Sequence, residues 1–321
     1  MSRSITRKEF IRLSAGTAAL ATSGRLSLLA AQVNSPKVRL GGPLFTKYED
    51  PGEWTEALSR AGYKAAYCPV DDTASAEEIR AYKAEAYRAD IVISEVGVWI
   101  NTISSDEKER KAAIDKCVKG LQLADKIGAM CCVNTSGSRN KDYWAGPHKD
   151  NLTQDTFDLV VETTQQIIDT VKPRHTFFTL EAMPWAFPYS PDNYLDLIRA
   201  IDRRQFGVHL DPVNMIVSPQ VFYRNGDMIK ECFSKLGPYI RSCHAKDMIL
   251  REDIYTPHLD EVRPGLGNLD YSVFLQELSK LDNVPLMMEH LQSEEDYTLA
   301  AEYIRAQGKN AGIVIFKNNN L

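Results

Sequence analysis

Eight times after residue 35, a short apolar run rich in β-prone residues gives way to a stretch with the 3.6-residue period of an amphipathic helix. The strand-like runs span 38–45, 63–69, 91–99, 129–135, 176–183, 207–212, 240–246 and 284–290. The helical stretches span 54–61, 76–89, 106–127, 153–171, 191–201, 227–236, 270–281 and 294–307, with one more short extended segment at 312–316. Runs that are apolar throughout, rather than alternating, belong to parallel strands covered by helices. Eight such units close into a (β/α)8 barrel better than they line up in an open sheet. No GxGxxG motif follows any strand, and Gly265-Leu266-Gly267 is too short to count as one. Local signals agree: Ser75 is placed to cap its helix, Glu77 and Glu78 suit the positive helix end, and Gly128 reads as a helix stop.

Polar residues break this apolar pattern where they are costly. Glu181 in FFTLEAMP, Asp211 in FGVHLDPVN, His244 in IRSCHAKD and Glu289 in PLMMEH each sit near the C-terminal end of a strand-like run, 30, 33 and 45 residues apart. Barrel active sites gather at that end. Three carboxylates and an imidazole from four consecutive units form an oxygen-rich site for one divalent cation, with Mn²⁺ favoured over Mg²⁺, Co²⁺ or Zn²⁺. Residues two apart on a strand share a face, so His209 is expected to accompany Asp211, and Lys246 to accompany His244. Trp99, Trp185 and the loop residue Trp144 offer rings to line a pocket, while His209, Lys246, Asn214, His148 and Arg263 are candidates for polar contacts with a bound small molecule. His290 is expected to point away from Glu289, toward the helices.

The chain has 321 residues, the size of a barrel of roughly 250 residues plus extras. A net charge of −5 with no Lys/Arg-rich arm argues against a nucleic-acid partner. Six cysteines show no CxxC spacing and read as small buried hydrophobes rather than disulfides or a thiolate metal site. Residues 1–31 read as an address rather than as fold. Thr6-Arg7-Lys8-Glu9-Phe10-Ile11-Arg12 resembles a twin-arginine export signal with Lys8 at the second arginine. An apolar stretch over 13–29 and a small-residue cleavage site near Gln32 follow. Arg25 interrupts that stretch, which falls short of the roughly 20 apolar residues of a membrane span. The expectation is a single barrel domain over 36–321, exported to the periplasm and free of the membrane once the signal is removed. A cytoplasmic protein with an amphipathic first helix is the alternative, and a homo-oligomer is compatible with either.

His209-Leu210-Asp211-Pro212, His244-Ala245-Lys246-Asp247 and Pro264-Gly265-Leu266-Gly267, together with Glu181 and Glu289, resemble the xylose isomerase-like TIM barrels. That family includes D-tagatose 3-epimerase-like enzymes and proteins called sugar phosphate isomerases/epimerases, and the resemblance covers roughly residues 38–307. It implies coordination of the cation by Glu181, Asp211, His244 and Glu289, with the two glutamates flanking a bound sugar. One departure stands out: Asn214 lies where those epimerases usually carry a histidine, and an amide cannot relay a proton.

The chemistry that follows is isomerisation or epimerisation of a carbohydrate. The cation polarises the carbonyl, one glutamate removes the neighbouring C–H proton, and the other returns it to the enediolate from the opposite face. Three carboxylates and a dication leave a site charge of about −1, which Lys246 can balance. A neutral polyol or keto-sugar therefore suits it better than a phosphorylated one. The same enolate also permits β-elimination from a 3-keto-glycoside, so a lyase or hydratase is the alternative, followed by a non-catalytic sugar-binding barrel.

Overall fold

The computed structural model describes residues 37–316. The expected export signal at 1–31 lies outside the described residues. Eight parallel strands form the barrel: β1 (Lys37–Gly41), β2 (Ala65–Tyr67), β3 (Val92–Gly97), β4 (Cys131–Asn134), β5 (Phe177–Glu181), β6 (Phe206–Leu210), β7 (Ile240–Ala245) and β10 (Pro285–Met288). Each pairs with the next, and β10 returns to pair with β1, which closes the sheet. Closure leaves the barrel no free strand edge.

The helices are α1 (Pro51–Ala61), α2 (Ala76–Arg88), α3 (Glu107–Ile127), α4 (Gln154–Val171), α5 (Pro191–Ile201), the short α6 (Pro219–Phe222), α7 (Asn225–Leu236), α8 (Tyr271–Leu278) and α9 (Glu294–Asn310). Their starts are set by short polar side chains. Asp50, Ser75, Asp106, Thr153, Ser190, Ser218, Asp270 and Ser293 each accept a hydrogen bond from a backbone N–H of the first turn. Gly62 and Gly128 end α1 and α3 in the left-handed conformation.

The apolar core lies between strands and helices. Outward-facing Phe178, Leu180, Val208, Leu210 and Leu286 are buried, as are Trp54, Leu58, Leu121, Ile167 and Leu197 on the helices. Inside the barrel the C-terminal half is polar: Glu95, Thr179, His209, Ser242 and His244 are all at most 1% exposed.

The connection between β7 and α8 departs from the sequence pattern, whereas the extended segment near the C-terminus is found where it is expected. The stretch between β7 and α8, read as a long loop, contains an antiparallel hairpin of β8 (Asp247–Leu250) and β9 (Leu259–Val262). Its strands are only four residues each, with three polar residues among the eight, below what alternation can signal. The extended segment near 312–316 is β11 (Val314–Ile315), which pairs parallel to β1 at Lys37 and Val38, where β10 does not reach. All six cysteines are free, five of them buried.

Candidate metal centre and active site

The four strand-end residues converge. One ligand atom from each of Glu181, Asp211, His244 and Glu289 lies within 4.8 Å of the others. Register explains why. Glu181 stands opposite His209 across β5 and β6, and His244 stands opposite Met287 across β7 and β10. Asp211 lies two residues beyond His209, on the same face, and Glu289 two beyond Met287.

Lys246, buried to 3% exposure, enters from the same face of β7. Its Nζ lies 2.7 Å from Glu289 Oε1, 2.8 Å from Asp211 Oδ2 and 4.0 Å from Glu181 Oε1. An ammonium therefore stands among the three carboxylates, where a compact cation is favoured. The ammonium compensates only part of the carboxylates' charge, and Asp211 Oδ2 and Glu289 Oε1 are buried without a well-directed hydrogen bond. Buried carboxylate oxygens of that kind need a partner. The donor set of three oxygens and one imidazole nitrogen fits a hard or borderline divalent ion.

The electrostatics follow from burial and crowding. Burial pushes the Glu181 carboxyl up to about 7, against the opposing pull of His244 and Lys246. Burial alone would raise Glu289 too, but the charges of His244, Lys246 and His290 hold it well below the usual carboxylate range. His244 is raised well above an ordinary imidazole: burial works against its charge, and Glu289, Glu95 and Glu181 outweigh burial. Lys246 stays charged for the same reason, with Asp211 the strongest of its carboxylate partners.

A pocket of about 650 Å³ opens above this cluster. Glu181, Glu289, Lys246 and Asn214 form its charged and polar base, Trp99, Tyr143 and Trp144 one wall, and Glu261 and His290 part of its rim. Asn214 donates from Nδ2 to Glu181 Oε1 at 3.0 Å and thereby fixes that carboxylate. Trp99 reaches the pocket because its backbone turns left-handed just past β3 (φ 49°), which brings its ring 6.2 Å from that of His244.

Five expectations about individual side chains are corrected. His209 is fully buried under the cluster, its ring 4.0 Å from that of His244, and does not line the pocket. Trp185 turns away and donates its indole N–H to Ala145 O at 2.6 Å, so it braces the loop that carries Trp144. His148 lies in a separate depression beside Arg139 and Asp150. Arg263 faces Asp296, 3.5 Å away, at the start of α9. His290 does not point to the helix layer. Strand β10 ends at Met288, and a positive φ of 60° at His290 breaks the alternation, so its ring meets Glu261 at 3.1 Å on the rim.

Glu95, Glu261 and Tyr143 are among the pocket residues that escaped the sequence reading. Glu95, 1% exposed on β3, lies beneath the cluster, with Oε1 3.1 Å from His244 Nε2. A signal existed: an acid within VISEVG, two residues before Gly97 on the face that also leads to Trp99. Glu261 comes from β9, within the stretch read as a loop. The Pro-Gly-Leu-Gly segment finds its reason in Asp247, whose carboxylate accepts the backbone N–H groups of Met248, Gly265, Gly267 and Leu269 at 2.8–3.1 Å. No Cβ fits at Gly267, where it would come 2.3 Å from Asp247 Oδ1.

Three carboxylates and an imidazole gathered at the C-terminal strand ends of a closed parallel barrel form a candidate metal site where barrel active sites are found. The chain belongs to the xylose isomerase-like TIM barrel family, whose model matches residues 55–307. It is similar in fold to a xylose isomerase-like TIM barrel protein from Mycobacterium smegmatis, solved in complex with magnesium. That pair shares 17% identity at a TM-score of 0.60, covering 88% of this chain and 98% of the other. D-Psicose 3-epimerase from Clostridium cellulolyticum H10, solved with D-tagatose, shares 15% identity at a TM-score of 0.61 over 86% and 100% of the two chains. The 3-keto-D-glucoside 4-epimerase from E. coli shares 13% at 0.60 over 84% and 99%. No curated relative matches the sequence.

Proposed function

We propose that this protein is a divalent-cation-dependent carbohydrate isomerase or epimerase that moves a proton on the carbon next to a carbonyl. The observation that carries the reading is the convergence of Glu181, Asp211, His244 and Glu289 on one point at the base of an aromatic-walled pocket. Those four residues would hold the ion, with Mn²⁺ favoured, and the ion would supply Lewis-acid polarisation of the substrate carbonyl.

The chain's own groups supply the rest. Glu181 and Glu289 both line the pocket and flank its base, so one takes the C–H proton and the other returns one from the opposite side. General acid–base help of this kind contributes roughly 10²–10⁴-fold. Lys246 offsets part of the negative charge, and Trp99, Tyr143 and Trp144 present rings to a sugar face while excluding water. Glu95, Glu181, Asp211, Glu261 and Glu289 all lie at or under the pocket, so a phosphorylated substrate would meet net repulsion. The fold likeness to two sugar epimerases supports the substrate class. Export through the sequence at 1–31 belongs to the same proposal, with N-terminal sequencing of the protein recovered from the periplasm as its test.

The deciding experiment uses metal-stripped protein reloaded with Mn²⁺ and a panel of ketoses and 3-keto-glycosides in D₂O. An epimer or isomer carrying solvent deuterium at the reacting carbon is the expected product, lost in Glu181→Gln and Glu289→Gln. A released aglycone would mark β-elimination instead. Binding without deuterium exchange on any member of the panel would refute catalysis.

A further inference from the structure

Beneath the pocket lies a polar layer that the proposed reaction does not use. Glu95 Oε1 stands 3.1 Å from His244 Nε2, while His244 Nδ1 faces Glu289 Oε1 at 2.8 Å and Glu181 Oε1 at 3.2 Å. The imidazole is thus held between two acidic sides, and only the Nδ1 side opens onto the cluster. The second oxygen of Glu95 is held as well: Ser94 donates from Oγ to Oε2 at 3.2 Å, and His209 Nδ1 lies 3.6 Å from it. His209 packs edge-on against His244 with ring centroids 4.0 Å apart, and its Nδ1 lies 2.5 Å from Ser242 Oγ. Ser94, Glu95, His209, Ser242 and His244 are each at most 1% exposed, so water hardly competes for the contacts among them.

The geometry points to Glu95 as a positioning residue for the cation site, acting through His244. This rests on the reading that the four strand-end residues bind a divalent cation. A ligating histidine must offer a lone pair from one nitrogen, and an acceptor on the other nitrogen fixes where the proton stays. Glu95 accepts from Nε2–H, which leaves Nδ1 free to donate its lone pair toward Glu181, Asp211 and Glu289. His209 and Ser94 keep the Glu95 carboxylate from swinging away. Glu95 also lines the floor of the pocket, but its part in this scheme is played through His244. It sets which imidazole nitrogen binds and at what angle, and partners of this kind typically contribute about 10–100-fold in metal affinity.

The test begins with wild-type protein, so it does not depend on a variant folding. With ¹⁵N-labelled histidine and Cd²⁺ as the probe ion, His244 should show Nδ1 bound to the metal and Nε2 protonated. Coordination through Nε2 would overturn the inference. Affinity supplies the second arm: Mn²⁺ binding, followed by the ion's paramagnetic signal, is compared in wild type, Glu95→Gln, Glu95→Leu and Asp211→Ala. The expected order is a 10–100-fold loss in both Glu95 variants and loss of measurable binding in Asp211→Ala. Wild-type affinity in both Glu95 variants, with binding lost in Asp211→Ala, would overturn the role of Glu95 and leave the ligand set standing. Wild-type affinity in Asp211→Ala would overturn the ligand set, and the role of Glu95 with it.

Discussion

Asp247→Asn removes one acceptor oxygen from a side chain that organises the whole connection between β9 and α8. Oδ1 accepts from Met248 and Leu269 at 2.9 and 2.8 Å, and Oδ2 accepts from Gly265 and Gly267 at 3.0 and 3.1 Å. An amide keeps one oxygen, so two backbone N–H groups lose their acceptor and face an NH₂ group instead. Hydrogen bonds to a charged group contribute about 1.5–3 kcal/mol each. Those to Gly265 and Gly267 are only partly buried, which favours the lower end and gives about 3 kcal/mol for the pair. At roughly 1.5–2 °C per kcal/mol for a chain of this size, the melting temperature should fall by about 5–6 °C. Scanning calorimetry measures that fall, and hydrogen exchange localises it, with faster exchange expected over residues 263–269. Gly267→Ala should show the same local signature, because its Cβ would lie 2.5 Å from Met248 O as well as 2.3 Å from Asp247 Oδ1. An Asp247→Asn protein with wild-type melting and unchanged exchange in this segment would refute the reasoning.

Cation binding should release protons. Burial lifts Glu181 to about 7, and Glu289, Glu95 and Glu181 raise His244 against the effect of burial, so both hold protons that an ion must displace. Affinity should therefore rise with pH through neutrality, and calorimetry at pH 7 in two buffers of different ionisation enthalpy should give different heats; equal heats would contradict this. Trp144→Ala should raise KM roughly 2–12-fold, the equivalent of 0.5–1.5 kcal/mol of ring contact. His148→Ala and Arg263→Ala, both outside the pocket, should leave steady-state KM unchanged. Tyr194 is fully buried, with its hydroxyl 2.5 Å from Leu180 O and 2.9 Å from His209 O. Tyr194→Phe should cost about 1–2 kcal/mol in urea unfolding, and a smaller change would show that those carbonyls find other donors.

The strand-and-helix alternation, the helix caps and the four strand-end residues were all legible in the chain, because each is a local statement. A strand alternates faces every two residues and a helix every 3.6, so an acid at the end of an apolar run already says which way it points. That rule also placed Lys246 beside His244 and would have flagged Glu95. It fails where the backbone leaves the strand region. His290 has a φ of 60° and turns to the rim, and Trp99, at 49°, reaches the pocket by the same kind of turn. Nothing in the residue types announces either turn. Loop residues are beyond it altogether: whether His148, Arg263, Tyr143 or Glu261 meets the pocket depends on where the loops come to rest, and non-local packing decides that. The one-dimensional pattern determined the barrel and the residues its strand ends present. The tertiary structure decided which loop residues join them and which buried neighbour holds each in place, because those contacts form only once strands distant in sequence are closed into a ring.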